Sequence, residues 1–197
     1  MHRRDLDGTP RRLLVTATLA VLVGCGTAAT PIPAAALPHV DPALESVLPR
    51  SANGIAFEAA GSTDGEDGIG NEGLYGGIFP AIIDTIGIDH AADLHLADET
   101  QEAPNGLLVV RVFRLTSLDP ARTWPAVFAA AERGPSQAGL TTWHRRTLPD
   151  RAVLVSDSTD PSDPTETVVE VVQRGDLLWE VAGSDASLVE RIAAALP

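Results

Sequence analysis

Eleven residues, DHAADLHLADE from Asp89 to Glu99, bring two imidazoles and four carboxylates within a short reach of one another. His90, His95, Asp89, Asp93, Asp98 and Glu99 are the residue types that bind zinc or exchange protons in hydrolysis. A zinc centre needs three or four ligands converging on one point, and linear spacing does not by itself supply that convergence. If Asp93 begins a strand, then Asp93, His95 and Glu99 lie on one face, with Leu94 and Leu96 on the other. That alternation is also what an ordinary half-exposed strand shows.

The remaining chemistry-bearing stretches are weaker. STDGEDGIGNEG, from Ser62 to Gly73, concentrates Asp64, Glu66, Asp67 and Glu72 among glycines. A calcium loop wants oxygen ligands at alternate positions, glycine sixth and glutamate twelfth, and no register here satisfies that. The stretch is expected to be a mobile, solvated loop without a bound ion. Arg174-Gly175-Asp176 lies between two apolar runs and reads as turn chemistry rather than an adhesion motif. No G-x-S-x-G surrounds any serine, Ser62 having alanine two places before it, and His144 has no carboxylate in local register. Trp124, Trp143 and Trp179 are expected in or around the core rather than as a sugar-stacking platform.

The single cysteine, Cys25, closes a different pattern. Arg3, Arg4, Arg11 and Arg12 precede an eleven-residue apolar run, Leu13 to Val23, which is the layout of a secretory signal. A spanning helix needs about 20 apolar residues, so this run is too short to be one. Leu22-Val23-Gly24-Cys25 resembles the lipobox of bacterial lipoproteins at all four positions. The resemblance implies cleavage between Gly24 and Cys25, a diacylglyceryl thioether on the sulfur, and attachment of the mature protein to a membrane on its extracytoplasmic side. Two acyl chains anchor stably where one is marginal, each buried methylene contributing about 0.8 kcal/mol.

Charge narrows the partners. The chain of 197 residues is formally −13. Removing residues 1–24 takes away four arginines and two aspartates, leaving 10 basic and 25 acidic residues, or −15. Such a surface repels phosphate backbones, so no nucleic-acid partner is expected. All 14 basic residues are arginine, which excludes Schiff-base chemistry and a P-loop lysine. With one cysteine the chain cannot staple itself, and stability must come from packing.

These side chains need elements to hold them. Residues 25–40, rich in Ala, Pro and Thr, read as a flexible tether. Residues 41–197 read as a single globular α+β domain beginning with a short helix that Asp41 caps and Pro42 opens. Gly54 to Glu58 looks like a first strand. Helices are expected at Phe79–Ile86, Pro120–Arg133 and about Asp185–Leu196, the last burying Leu188, Ile192 and Leu196. Hairpins are expected across Pro104-Asn105-Gly106, Pro149-Asp150 and Gly175-Asp176. The apolar runs around Val168–Val172 and Leu177–Val181 belong in the middle of the sheet, and the polar run at Thr141–Arg146 belongs at an edge. Phe79-Pro80-Ala81-Ile82 and Trp124-Pro125-Ala126-Val127 each open a helix before a hairpin, suggesting a duplicated α-β-β unit. The expected architecture is an antiparallel sheet of hairpins with about three helices packed mainly on one face.

The ending RGDLLWEVAGSDASLVERIAAALP is similar to the strand-turn-strand-helix close of small uncharacterised lipoproteins of high-GC bacteria, a likeness that brings no activity with it. Two functional readings follow. The first is a lipid-anchored extracytoplasmic module that binds an unknown protein or small ligand, without catalysis and without a cofactor. The second is an extracytoplasmic hydrolase or metal-dependent enzyme using the His90 and His95 acidic cluster. An enzyme would gather those groups in a concave pocket with perturbed pKa values.

Overall fold

The computed structural model describes residues 38–52, 54–57, 60–70, 77–103, 106–133, 142–148, 152–157 and 168–197. Gly24, Cys25 and residues 26–37 of the expected tether lie outside them, whereas its last residues, 38–40, are not free tether: the Ser62 N–H donates to the Pro38 carbonyl at 2.9 Å and the Val40 N–H to the Ser62 carbonyl at 3.2 Å. Among the described residues no helix is long and apolar enough to cross a membrane.

The chain starts with α1 (Pro42–Glu45), then β1 (Ser51–Ala52) and β2 (Ile55–Ala56), which pair as a small ribbon. After β3 (Gly61–Asp64) and α2 (Gly65–Gly70) comes α3 (Phe79–Ile86), followed by a 3-10 turn at Ile88–Asp93. A hairpin of β4 (Leu94–Ala103) and β5 (Gly106–Leu115) leads into α4 (Pro120–Arg133). The strands β6 (Thr142–Thr147), β7 (Ala152–Asp157), β8 (Val168–Arg174) and β9 (Leu177–Gly183) precede α5 (Ala186–Ala195). Seven of these strands form one antiparallel sheet in the order β3-β4-β5-β9-β8-β7-β6. From β5 the chain crosses by α4 to the far edge, and three successive strands bring it back until β9 docks against β5.

Residue chemistry explains the order. On β8 and β9 apolar residues fall on both faces: Val171 and Leu178 enter one core layer, Val172, Trp179 and Val181 the other. Strands apolar on both faces belong inside a sheet, and β9 occupies its centre. On β6, His144, Arg145 and Arg146 leave only Trp143 to bury, and β6 is an edge. Gly175, with φ of 57°, takes the left-handed turn that joins β8 to β9, a backbone glycine enters without a Cβ clash.

Both faces are covered. Phe79 and Ile82 from α3 pack with Trp124, Val127 and Phe128 from α4 on one face. Leu44 from α1 and Val189, Ile192 and Ala193 from α5 pack on the other. The expectation of helices mainly on one face is corrected here, because central strands with two apolar faces need cover on both sides. In α5 the buried residue of the first turns is Val189; Leu188 is only half-buried.

Two further expectations change. Of the strand expected at Gly54 to Glu58, the described residues 54–57 do not join the main sheet: residues 55–56 belong to the separate ribbon, where Gly54 turns with φ of 79°, and Glu58 lies outside the described residues. The mobile loop expected at Ser62 to Gly73 is ordered over its described part, residues 62–70. Gly61–Asp64 pairs with β4, and Asp64 caps α2 by accepting the Asp67 N–H at 2.9 Å. Gly65 and Gly68 serve close packing. A Cβ on Gly65 would stand 2.5 Å from the Ala91 carbonyl oxygen, and one on Gly68 would stand 3.1 Å from the Phe79 ring.

Candidate binding cleft

On β4, side chains alternate between the two core layers: Leu94 and Leu96 point toward α3 and α4, while His95, Ala97 and Glu99 point toward α1. Asp93 does not begin the strand. It ends the 3-10 turn, so only His95 and Glu99 of the expected trio share a face. At the two ends of that face stand two carboxylates, Asp41 and Glu99, each 4% exposed.

Asp41 is surrounded by donors. Its Oδ1 accepts the Leu44 N–H at 3.0 Å and thereby caps α1. Its Oδ2 meets His95 Nδ1 at 2.9 Å and accepts from the Arg114 guanidinium, which lies opposite His95 on β5. Its own N–H donates to Ser62 Oγ at 2.7 Å. Burial opposes ionisation of this carboxyl, but the bonds from His95 and the Leu44 N–H and the charge of Arg114 outweigh it, holding the pKa below the usual carboxylate value.

The Ser62 hydroxyl donates a hydrogen bond to Glu45, whose Oε2 faces His39 Nδ1 at 2.9 Å. A carboxylate therefore stands between the hydroxyl and the imidazole. A nucleophilic serine needs the imidazole at its own oxygen, so this chain of contacts holds α1 to β3 rather than activating Ser62.

Glu99 has the opposite surroundings. It sits in a cleft of about 460 Å³. Pro42, Glu45, Ser46 and Leu48 form one wall, and Arg50 and Phe57 stand at the base of the ribbon, where the Phe57 N–H donates to the Arg50 carbonyl at 3.2 Å. Ala60 completes the lining. Across β5, Glu99 is opposite Val110, which offers no polar side chain. Among the described residues Glu99 Oε1 has no hydrogen-bond partner. Burial, and secondarily the charge of Asp98, pushes its pKa up to about 7.

The other buried carboxylates are engaged. Glu180, on the α3 face, accepts the Ile78 N–H at 2.6 Å and Arg111 at 2.9 Å. Gly77 packs so tightly against it that a Cβ there would come within 2.1 Å of Oε2. Glu170 accepts from Arg146 under α5. A second groove, of about 600 Å³, lies along Val47, Arg174, Leu177, Trp179 and Pro197. Its Arg174 belongs to the RGD stretch, whose turn is pinned from the opposite face when Trp124 Nε1 donates to the Asp176 carbonyl at 2.9 Å.

The two histidines of the acidic cluster separate. His90 Nδ1 contacts Asp93 at 3.0 Å on the surface, while His95 turns inward to Asp41. Among the described residues no three of His, Cys, Asp or Glu are placed to hold a metal ion. The three tryptophans are buried and divided, Trp124 and Trp143 in one layer and Trp179 in the other, so they form no common platform.

Of the residues lining the cleft, the sequence singles out only Glu99, as one member of an alternating strand. Arg50, Phe57 and Glu45 carry no local signal, because the ribbon and α1 meet β4 only in the fold. No family model matches this chain, and no curated protein or solved structure is significantly similar to it.

Proposed function

We propose that this protein is a lipid-anchored, extracytoplasmic binding module whose ligand enters the cleft beside Glu99. The observation that carries the binding reading is Glu99 itself: a carboxyl nine-tenths buried, with one oxygen unpartnered among the described residues, in a cleft of about 460 Å³. Leaving a buried acceptor without a partner costs about 1–3 kcal/mol, a cost that a ligand donor removes on binding. The cleft volume lies within the range of small-molecule sites, and its lining mixes the apolar Pro42, Leu48, Phe57 and Ala60 with the polar Glu45, Ser46, Arg50 and Glu99. Catalysis has less support, since His90 and His95 face different carboxylates and Ser62 faces Glu45 rather than an imidazole.

The anchoring half rests on Leu22-Val23-Gly24-Cys25 and the arginine-rich leader before it. It is tested by expressing Cys25→Ala in a lipoprotein-processing host and comparing mass and fractionation with the parent. The variant is expected to lose the lipid mass and leave the membrane fraction, or to accumulate uncleaved. An unchanged mass with full membrane retention would overturn the anchor.

A further inference from the structure

We infer that the cleft takes a small organic ammonium ion carrying one apolar group, its N–H donors directed at Glu99 and its apolar body against Leu48 and Phe57. The inference rests on the binding reading above and names its ligand class. Three observations converge on it. Among the described residues Glu99 Oε1 is an acceptor without a donor, and an ammonium has donors to give and no acceptor to leave unsatisfied. Leu48, Phe57 and Pro42 supply an apolar wall on which a hydrocarbon or ring can rest. The mature chain's formal charge of −15 draws cations toward the domain from a distance.

The charged groups around Glu99 refine the class. From α1 comes Glu45, from the ribbon Arg50, and from β4 itself Asp98, directed to the opposite layer. The strand β5 presents only Val110 at this register. Glu45 is already held by Ser62 and His39, which leaves Glu99 as the carboxylate with an open position. Arg50 repels a second positive charge, so a monoamine fits better than a polyamine. Because burial holds Glu99 protonated up to about neutral pH, an ammonium must displace a proton to bind at lower pH.

The experiment titrates the full-length protein with 2-phenylethylamine, 2-phenylethanol and 3-phenylpropanoate by calorimetry at pH 6 and pH 8. These probes share a phenyl group and an alkyl linker and differ chiefly in the head group. The amine is expected to bind saturably, at least about tenfold tighter than the alcohol at pH 8. Its affinity should rise about tenfold from pH 6 to pH 8 as Glu99 ionises. Glu99→Gln, checked for folding by circular dichroism, should abolish that pH dependence and reduce the amine to the affinity of the alcohol. The pH dependence of the parent protein decides the matter even if the variant folds poorly. Tighter binding of the alcohol or the carboxylate, or pH-independent binding of the amine, would overturn the ammonium assignment while leaving the cleft as a ligand site. Absence of saturable binding by all three would overturn the assignment and the binding reading together.

Discussion

Asp41 and Glu99 are two carboxylates buried to the same degree on the same face of one sheet, one beside each end of the same segment of β4. Asp41 is met by a helix N-terminus, an imidazole and a guanidinium; Glu99 has one oxygen that nothing in the described structure meets. One pKa falls and the other rises to about 7. Burial raises both, but at Asp41 the bonds from His95 and Leu44 and the charge of Arg114 outweigh it, whereas at Glu99 the charge of Asp98 adds to it. Asp41 joins α1 to β3, β4 and β5 and is structural, whereas the charged form of Glu99 is held at a cost in stability that protonation relieves.

The consequences for stability run in opposite directions. Asp41, with a folded pKa below its unfolded value, contributes stability that is present above the unfolded value and is lost as pH falls through the folded one. Glu99 has a folded pKa above its unfolded value. The native state therefore binds the extra proton, and Glu99 lowers stability progressively as pH rises from about 4.5 to about 7.

Breaking the satisfied site has the larger effect. Asp41→Ala removes the α1 cap and strands His95 and Arg114, and should cost about 2–3 kcal/mol in urea unfolding at pH 7. A cost below about 0.5 kcal/mol would mean that Asp41 holds nothing together. Glu99→Gln has a smaller effect of opposite sign. It should raise stability by about 1–2 kcal/mol at pH 8, part of the gain being offset by burying an amide, and should change little at pH 5. A loss of stability at pH 8 would show that the Glu99 carboxylate has partners after all.

Local chemistry made much of the fold legible. Asp41-Pro42 announces a capped helix start, and Asp41 does cap α1. Asp185 caps α5 in the same way, by accepting the Leu188 N–H at 3.0 Å. The two-residue loop at Gly175-Asp176 marks the central hairpin, and the polar run at Thr141–Arg146 marks the edge strand, which spans Thr142–Thr147. Glycine misled where it serves contact: Gly65 and Gly68 resemble loop residues until Ala91 and Phe79 are seen against them. The site itself was barely legible. His95 reaches Asp41 across 54 positions and Arg114 reaches it across 73, separations at which no periodicity links residues. Glu99 is legible in the sequence as one member of an acidic cluster and of an alternation, but the surroundings that leave Oε1 unpartnered among the described residues, Val110, Ala60 and α1, are brought to it by tertiary structure.

The most direct test is a side-chain carboxyl titration by carbon-detected NMR, following Glu99 Cδ and Asp41 Cγ from pH 3 to pH 9 in the ligand-free protein. Glu99 should titrate with a midpoint of about 7, and Asp41 should remain ionised to below the usual aspartate range. A Glu99 midpoint at the ordinary value, about 4.3, would contradict the account.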